Sequence, residues 1–62
     1  MDAKAWIEAN GDYAEVARKL GKPEGTVAAW KSRSAIPRTV WPDLLEVFRK
    51  TRLADLREME RA

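Results

Sequence analysis

The chain contains no cysteine and no histidine. The first absence excludes disulfides, thiolate metal sites and thiol nucleophiles. The second removes the commonest general base and the commonest metal ligand. No apolar run approaches the roughly 20 residues that a membrane-crossing helix needs, so no membrane association is expected. The opening MDAKAWIEANGD places an acid at the second position and has no apolar h-region, which reads as a chain without a secretory signal. Repeats, linkers and low-complexity segments are missing too. Nowhere do apolar and polar residues alternate at period two for long, so strands are not expected. The carboxylates are scattered over helix starts and exposed faces without a buried partner to tune them, and an enzyme is therefore not expected. A cytoplasmic protein without cofactor, metal or small-molecule ligand is the starting expectation.

What is present fits a single domain over residues 1–62, with the marginal core that so short a chain can bury. Its net charge of +2 hides an uneven distribution. Residues 1–17 set Lys4 against Asp2, Glu8, Asp12 and Glu15. Residues 18–38 set Arg18, Lys19, Lys22, Lys31, Arg33 and Arg38 against Glu24 alone, and the remainder balances. A basic patch on an otherwise balanced small domain points to a polyanion, or is simply a solvated face.

The helical pattern falls into four or five elements. Asp2 caps a first helix that turns Trp6, Ile7 and Ala3 inward, and Asn10-Gly11 ends it in left-handed backbone. Asp12 opens a second helix, with Glu15 completing a capping-box-like pair. Ala14, Val16, Ala17 and Leu20 form its apolar side, and Gly21 stops it. Pro23 lets a third helix begin, because its fixed φ suits a helix entry. Val27 and Trp30 share a face of that helix, which the segment from Ser32 to Pro37 breaks. A further helix starts between residues 39 and 42, since Pro42 must sit in its first turn. Trp41, Leu44, Leu45 and Phe48 form its inward stripe. Leu53, Leu56 and Met59 continue an apolar pattern, either on the same helix or on a fifth one after a break at Lys50-Thr51.

The stretch YAEVARKLGKPEGTVAAWKS has the spacing of a helix-turn-helix corner over residues 12–32. The small Ala17 lets the second helix of the corner come close. Leu20 and Val27 fill the angle, Gly21 supplies the positive φ of the turn, and Trp30 anchors the far end. The other reading is a plain corner in a small bundle.

The segment EVARKLGKPEGTVAAWKSRSAIPRTVWPDLLEVF resembles the Cro and YdaS-type branch of the phage-repressor helix-turn-helix proteins. The matching residues are Ala17, Gly21, Val27, Trp30-Lys31, Ile36-Pro37 and Trp41-Pro42, within about residues 12–50. The resemblance implies an all-α, lambda-repressor-like domain whose helix from Pro23 to Ser32 enters the major groove of operator DNA, and a homodimer that represses transcription. Two positions depart from the family. Lys22 stands where the residue after the turn glycine is usually apolar, and Pro23 stands where a Ser or Thr cap is common.

On that reading Glu24, Gly25, Thr26, Ala28, Ala29 and Lys31 face the bases. Alanine and threonine methyls can meet thymine methyls, Glu24 can accept from cytosine N4, and Lys31 or Arg33 can donate to guanine. Equally, the alanines serve helix propensity and Glu24 the positive helix N-terminus. Lys22, Ser32, Arg33, Arg38 and the Tyr13 hydroxyl are the candidates for the DNA backbone. Leu53, Leu56 and Met59, in the C-terminal helical segment 39–61, form either a homodimer interface or the end of the monomer core. The expected function is sequence-specific regulation of transcription on a pseudo-palindromic duplex, by a protein of phage or mobile-element origin. The alternative is a small helical protein-interaction module with an acidic partner.

Overall fold

The computed structural model describes residues 1–61; position 62 of the expected domain lies outside the described residues. Five α-helices and one 3-10 turn occur among them: α1 Ala3–Ala9, α2 Asp12–Leu20, α3 Glu24–Arg33, the 3-10 turn Arg38–Val40, α4 Trp41–Val47 and α5 Leu53–Arg61. The fold is all-α, as expected. No helix among the described residues is long and apolar enough to cross a membrane.

Helix α1 begins where the Asp2 carboxylate accepts the Ala5 N–H at 2.8 Å, satisfying a donor that the first turn leaves free. Ala3, Trp6 and Ile7 recur at helical spacing and are all buried. The end of α1 differs from expectation. Asn10 takes φ −101° and closes the helix with its side chain, whose Nδ2 donates to the Trp6 carbonyl at 2.8 Å. The left-handed residues are Gly11 at φ +98° and Asp12 at φ +70°. A Cβ on Gly11 would lie 2.8 Å from Glu15 Cγ, so this glycine is required twice over.

That shift removes the expected capping box. Gly11 occupies the cap position, and Asp12 opens α2 while still in left-handed backbone. The Asp12 carboxylate turns to the adjacent Tyr13 N–H and to Lys31, and Glu15 pairs with Arg18. Val16 and Ala17 are buried and Leu20 is half-buried, but Ala14 is exposed, contrary to expectation. Its neighbours in sequence, Val16 and Ala17, point to the core in its place.

The turn into α3 follows the expected chemistry closely. Gly21 stands at φ +68°. The Lys22 N–H donates to the Ala17 carbonyl at 2.9 Å and the Gly21 N–H to that of Arg18 at 3.3 Å, the paired bonds of a Schellman ending. Pro23 is extended (ψ 142°), and its carbonyl accepts from Thr26 and Val27. Helix α3 runs one residue beyond the expected end, through Arg33. It closes on Ser34 at φ +52°, with Ala35 N–H donating to the Trp30 carbonyl at 3.0 Å.

The C-terminal half completes a single core. Val40, Leu44 and Phe48 are buried, while Trp41 and Leu45 pack half-buried against them. Residues 48–52 break the chain, so α5 is a separate fifth helix. Trp6 links the halves. Its ring meets Phe48 edge-on at 5.1 Å between centroids, and its Nε1–H donates to Thr51 Oγ1 at 3.0 Å. Leu56 and Met59 are 1% and 6% exposed within the monomer, whereas Leu53 is 42% exposed. Leu56 and Met59 therefore close the core over α1 and α4, and the dimer-interface expectation for them is corrected. Burial of such side chains contributes about 1.5–3 kcal/mol each, a gain that a small core secures within the monomer.

Candidate nucleic-acid interface

Helix α3 divides sharply into two sides. Val27 and Trp30 are sealed inside. Glu24, Gly25, Thr26, Ala29, Ser32 and Arg33 are exposed, and Ala28 is half-buried. Of the residues proposed to face bases, five thus share one accessible helix surface, with Ala28 at its margin. The sixth, Lys31, departs from it. Its Nζ is 2.7 Å from Asp12 Oδ1 and 3.6 Å from Glu8 Oε2, and it lies 5.7 Å from the centre of the Tyr13 ring. Lys31 is thus set apart from that surface: two carboxylates hold its ammonium against α1 and α2. Hydrogen bonding to Asp12 raises its pKa above the ordinary lysine value. The same hydrogen bond, then that from the Tyr13 N–H, lowers the Asp12 carboxyl below its own.

The backbone-contact candidates separate in a similar way. Lys22, Ser32 and Arg33 are exposed. Among the described residues, neither Lys22 nor Arg33 has an acidic partner within salt-bridge distance. Arg38 is engaged elsewhere. Its guanidinium makes a two-pronged pair with the Glu60 carboxylate, with Nε at 2.7 Å, and lies 5.5 Å from the centre of the Trp41 ring. The hydrogen bond from Arg38 holds the Glu60 carboxyl below its ordinary value. Tyr13 is half-buried beneath Lys31. Elsewhere in the basic segment, Arg18 pairs with Glu15, and Lys19 lies 5.6 Å from the centre of the Phe48 ring. The cationic patch is therefore narrower than the linear sequence suggests.

One residue of the patch escapes sequence reasoning. Lys4, on α1, lines a shallow groove together with Tyr13, Ala28, Lys31 and Ser32. Its own N–H donates to Ser34 Oγ at 3.2 Å, across 30 positions of chain. Only the packing of α1 against α3 brings it there, and no local pattern announces that. A second open groove runs along Gly11, Ala14, Glu15, Arg18, Lys22 and Glu24, beside the start of α3.

Ten residues make α3 about 15 Å long. Lys22 precedes its first turn and Arg33 closes its last. No protein-family model, curated protein or solved structure matches the chain.

Proposed function

We propose that this chain is a sequence-specific double-stranded DNA-binding regulator of transcription, with α3 as the helix that enters the major groove. A single observation carries the reading: the outward side of α3 bears short side chains and is bounded by two cations, Lys22 and Arg33, that are unpaired among the described residues. Short side chains let the helix backbone approach base edges. Cations at its ends supply the sequence-independent attraction to phosphate. The resemblance of residues 12–50 to phage-repressor proteins supports a repressor of phage or mobile-element origin, acting in the cytoplasm.

Binding as a pair on a pseudo-palindromic site belongs to the same proposal. Half-sites one helical turn apart lie ~34 Å from centre to centre. The longest extent of the domain is 25 Å between Cα atoms. Two copies so placed touch through little surface, and Leu56 and Met59 are not available for it. Pairing on the duplex, rather than a stable dimer in free solution, follows. Light scattering on the free protein and on the complex measures this directly: a monomer in both states would remove the pair.

Selection of bound duplexes from a random library tests the main reading. The expected outcome is a defined motif that survives competitor DNA. Lys22→Ala and Arg33→Ala should each weaken binding and each lower the slope of log affinity against log salt by about one. An unselective pool, or slopes equal to that of the parent, would count against the groove assignment. Capture of an acidic protein without any duplex preference would instead support the interaction-module alternative.

A further inference from the structure

The ion cluster where α1, α2 and α3 meet is more elaborate than the fold requires. A single ammonium, that of Lys31, joins Glu8 near the end of α1 to Asp12 at the start of α2. Asp12 holds its position in left-handed backbone at φ +70°, a conformation that aspartate tolerates better than most residues other than glycine. Its carboxylate accepts both the Tyr13 N–H at 2.8 Å and the Lys31 ammonium at 2.7 Å. The Lys31 side chain is 23% exposed and crosses the Tyr13 ring. The lysine side of the pair is thus partly shielded, and such a pair is screened by salt less than a fully exposed one. A residue other than glycine in left-handed backbone persists where its surroundings fix the geometry.

Charge argues against direct contact of Lys31 with a polyanion. Two carboxylates face its ammonium, so it is not free for a phosphate, and Lys4 is a further cation of the same groove. The mechanical effect of the cluster is clear. Lys31 sits on the third turn of α3, and its ammonium is anchored to the two preceding helices. The cluster thus ties the third turn of α3 to the two preceding helices, beside the buried packing of Val16 and Ala17 with Val27 and Trp30.

We infer that Asp12 and Lys31 are positioning residues for duplex recognition, setting the inclination of α3 without touching DNA. The inference rests on the DNA-binding reading above. It assigns a separate role to a lysine that the linear sequence places among the base-reading residues.

Asp12→Asn and Lys31→Met test it in the full chain, using the duplex recovered by selection. Asparagine keeps the size of aspartate and tolerates left-handed backbone, and methionine keeps the apolar stem of lysine. Each variant should bind that duplex about five- to tenfold more weakly. The double variant should be no weaker than either single one, and all should keep the parental salt slope. Direct contact predicts the opposite sign for Asp12→Asn. Removing an acid and releasing the ammonium would tighten binding, and Lys31→Met would lower the slope by about one. Either result overturns the inference. So does a fall in melting temperature with parental affinity of the folded protein, because the cluster would then serve the fold alone. Failure of the underlying reading has a different signature: the parent protein itself recovers no duplex motif, and this inference falls with it.

Discussion

Helices α2 and α3 meet across residues 21–23, whereas residues 48–52 separate α4 from α5. The first junction is made by backbone alone. Gly21 in left-handed conformation lets two main-chain N–H groups return to the last turn of α2. The second adds side chains to a backbone turn, in which the Thr51 N–H donates to the Phe48 carbonyl at 2.9 Å. Trp6 donates to Thr51, and the Asp55 carboxylate accepts the Arg52 N–H at 2.9 Å. Charge is treated differently as well. Glu60 on α5 pairs with Arg38, and Glu58 faces the chain's own N-terminal ammonium at 3.6 Å. On α3, Lys31 is paired inward while Arg33 is unpaired among the described residues, as is Lys22 just before the helix. Helix α5 uses Glu58 and Glu60 to fasten itself to the rest of the molecule. Its own Arg57 and Arg61, like Lys22 and Arg33 around α3, have no acidic partner within salt-bridge distance among the described residues.

The contrast breaks first at Leu56. If α5 belongs to the monomer core, Leu56→Ala removes a side chain that is 1% exposed, at a cost of about 2–5 kcal/mol. A domain of this length has only about 3–9 kcal/mol in total, so chemical denaturation should show a large part of its stability gone. Leu53→Ala, at an exposed position, should change stability by less than about 0.5 kcal/mol. Equal and small effects from both, with a change in molecular mass, would return α5 to the role of an interface.

The comparison also explains what sequence reasoning could reach. The corner was open to it because its determinants are local. Gly21, Ala17, Val27 and Trp30 act within one turn of each other or at helical spacing, and a glycine that must adopt positive φ leaves a recognisable mark. The inward stripes Trp6-Ile7 and Leu44-Phe48 follow from the same local periodicity, whereas the break near Thr51 does not, because the apolar pattern continues across it. The cap of α2 was misread because Asp12 was assigned by residue type alone. Its carboxylate answers to Lys31, 19 positions later, and only tertiary packing brings the two together. Lys31 and Arg38 were counted with the free cations for the same reason: a linear sequence displays charges but not their partners. The ambiguity of Leu56 and Met59 arose because an apolar stripe on a terminal helix satisfies a monomer core or a second copy equally well, until the other helices are seen to leave a place for it.

A subtler test concerns Gly25. It lies in the first turn of α3, its φ is ordinary, and a Cβ there would meet nothing within 4 Å. The fold has no need of glycine at this position, and Gly25→Ala should stabilise the free protein by about 0.5–1 kcal/mol. That is a rise in melting temperature of a few degrees for a domain of this size. If α3 presses its backbone against a duplex, the same methyl group should weaken binding. A stabilised variant with parental affinity would show that the partner does not come close at Gly25, and would move the contact towards Ala29, Ser32 and Arg33.

The smallest expected effect lies in the fastening ion pairs and appears in acid. The carboxyls of Asp12 and Glu60 are held below their ordinary values by hydrogen bonds from Lys31 and Arg38. A carboxyl with a lower pKa in the folded than in the unfolded state adds stability above its unfolded pKa. That stability disappears as pH falls through the folded value. Melting temperature should therefore be flat near neutrality and decline below about pH 4. Glu60→Gln should flatten the part of the decline due to α5, and Asp12→Asn the part due to the corner. The two pairs differ in what else they control. Releasing Glu60 should not lower duplex affinity, because α3 does not move and Arg38 regains a free guanidinium. Releasing Asp12 should lower affinity together with stability. A titration in which both variants change affinity alike would erase the distinction between the helix that closes the core and the corner that faces outward.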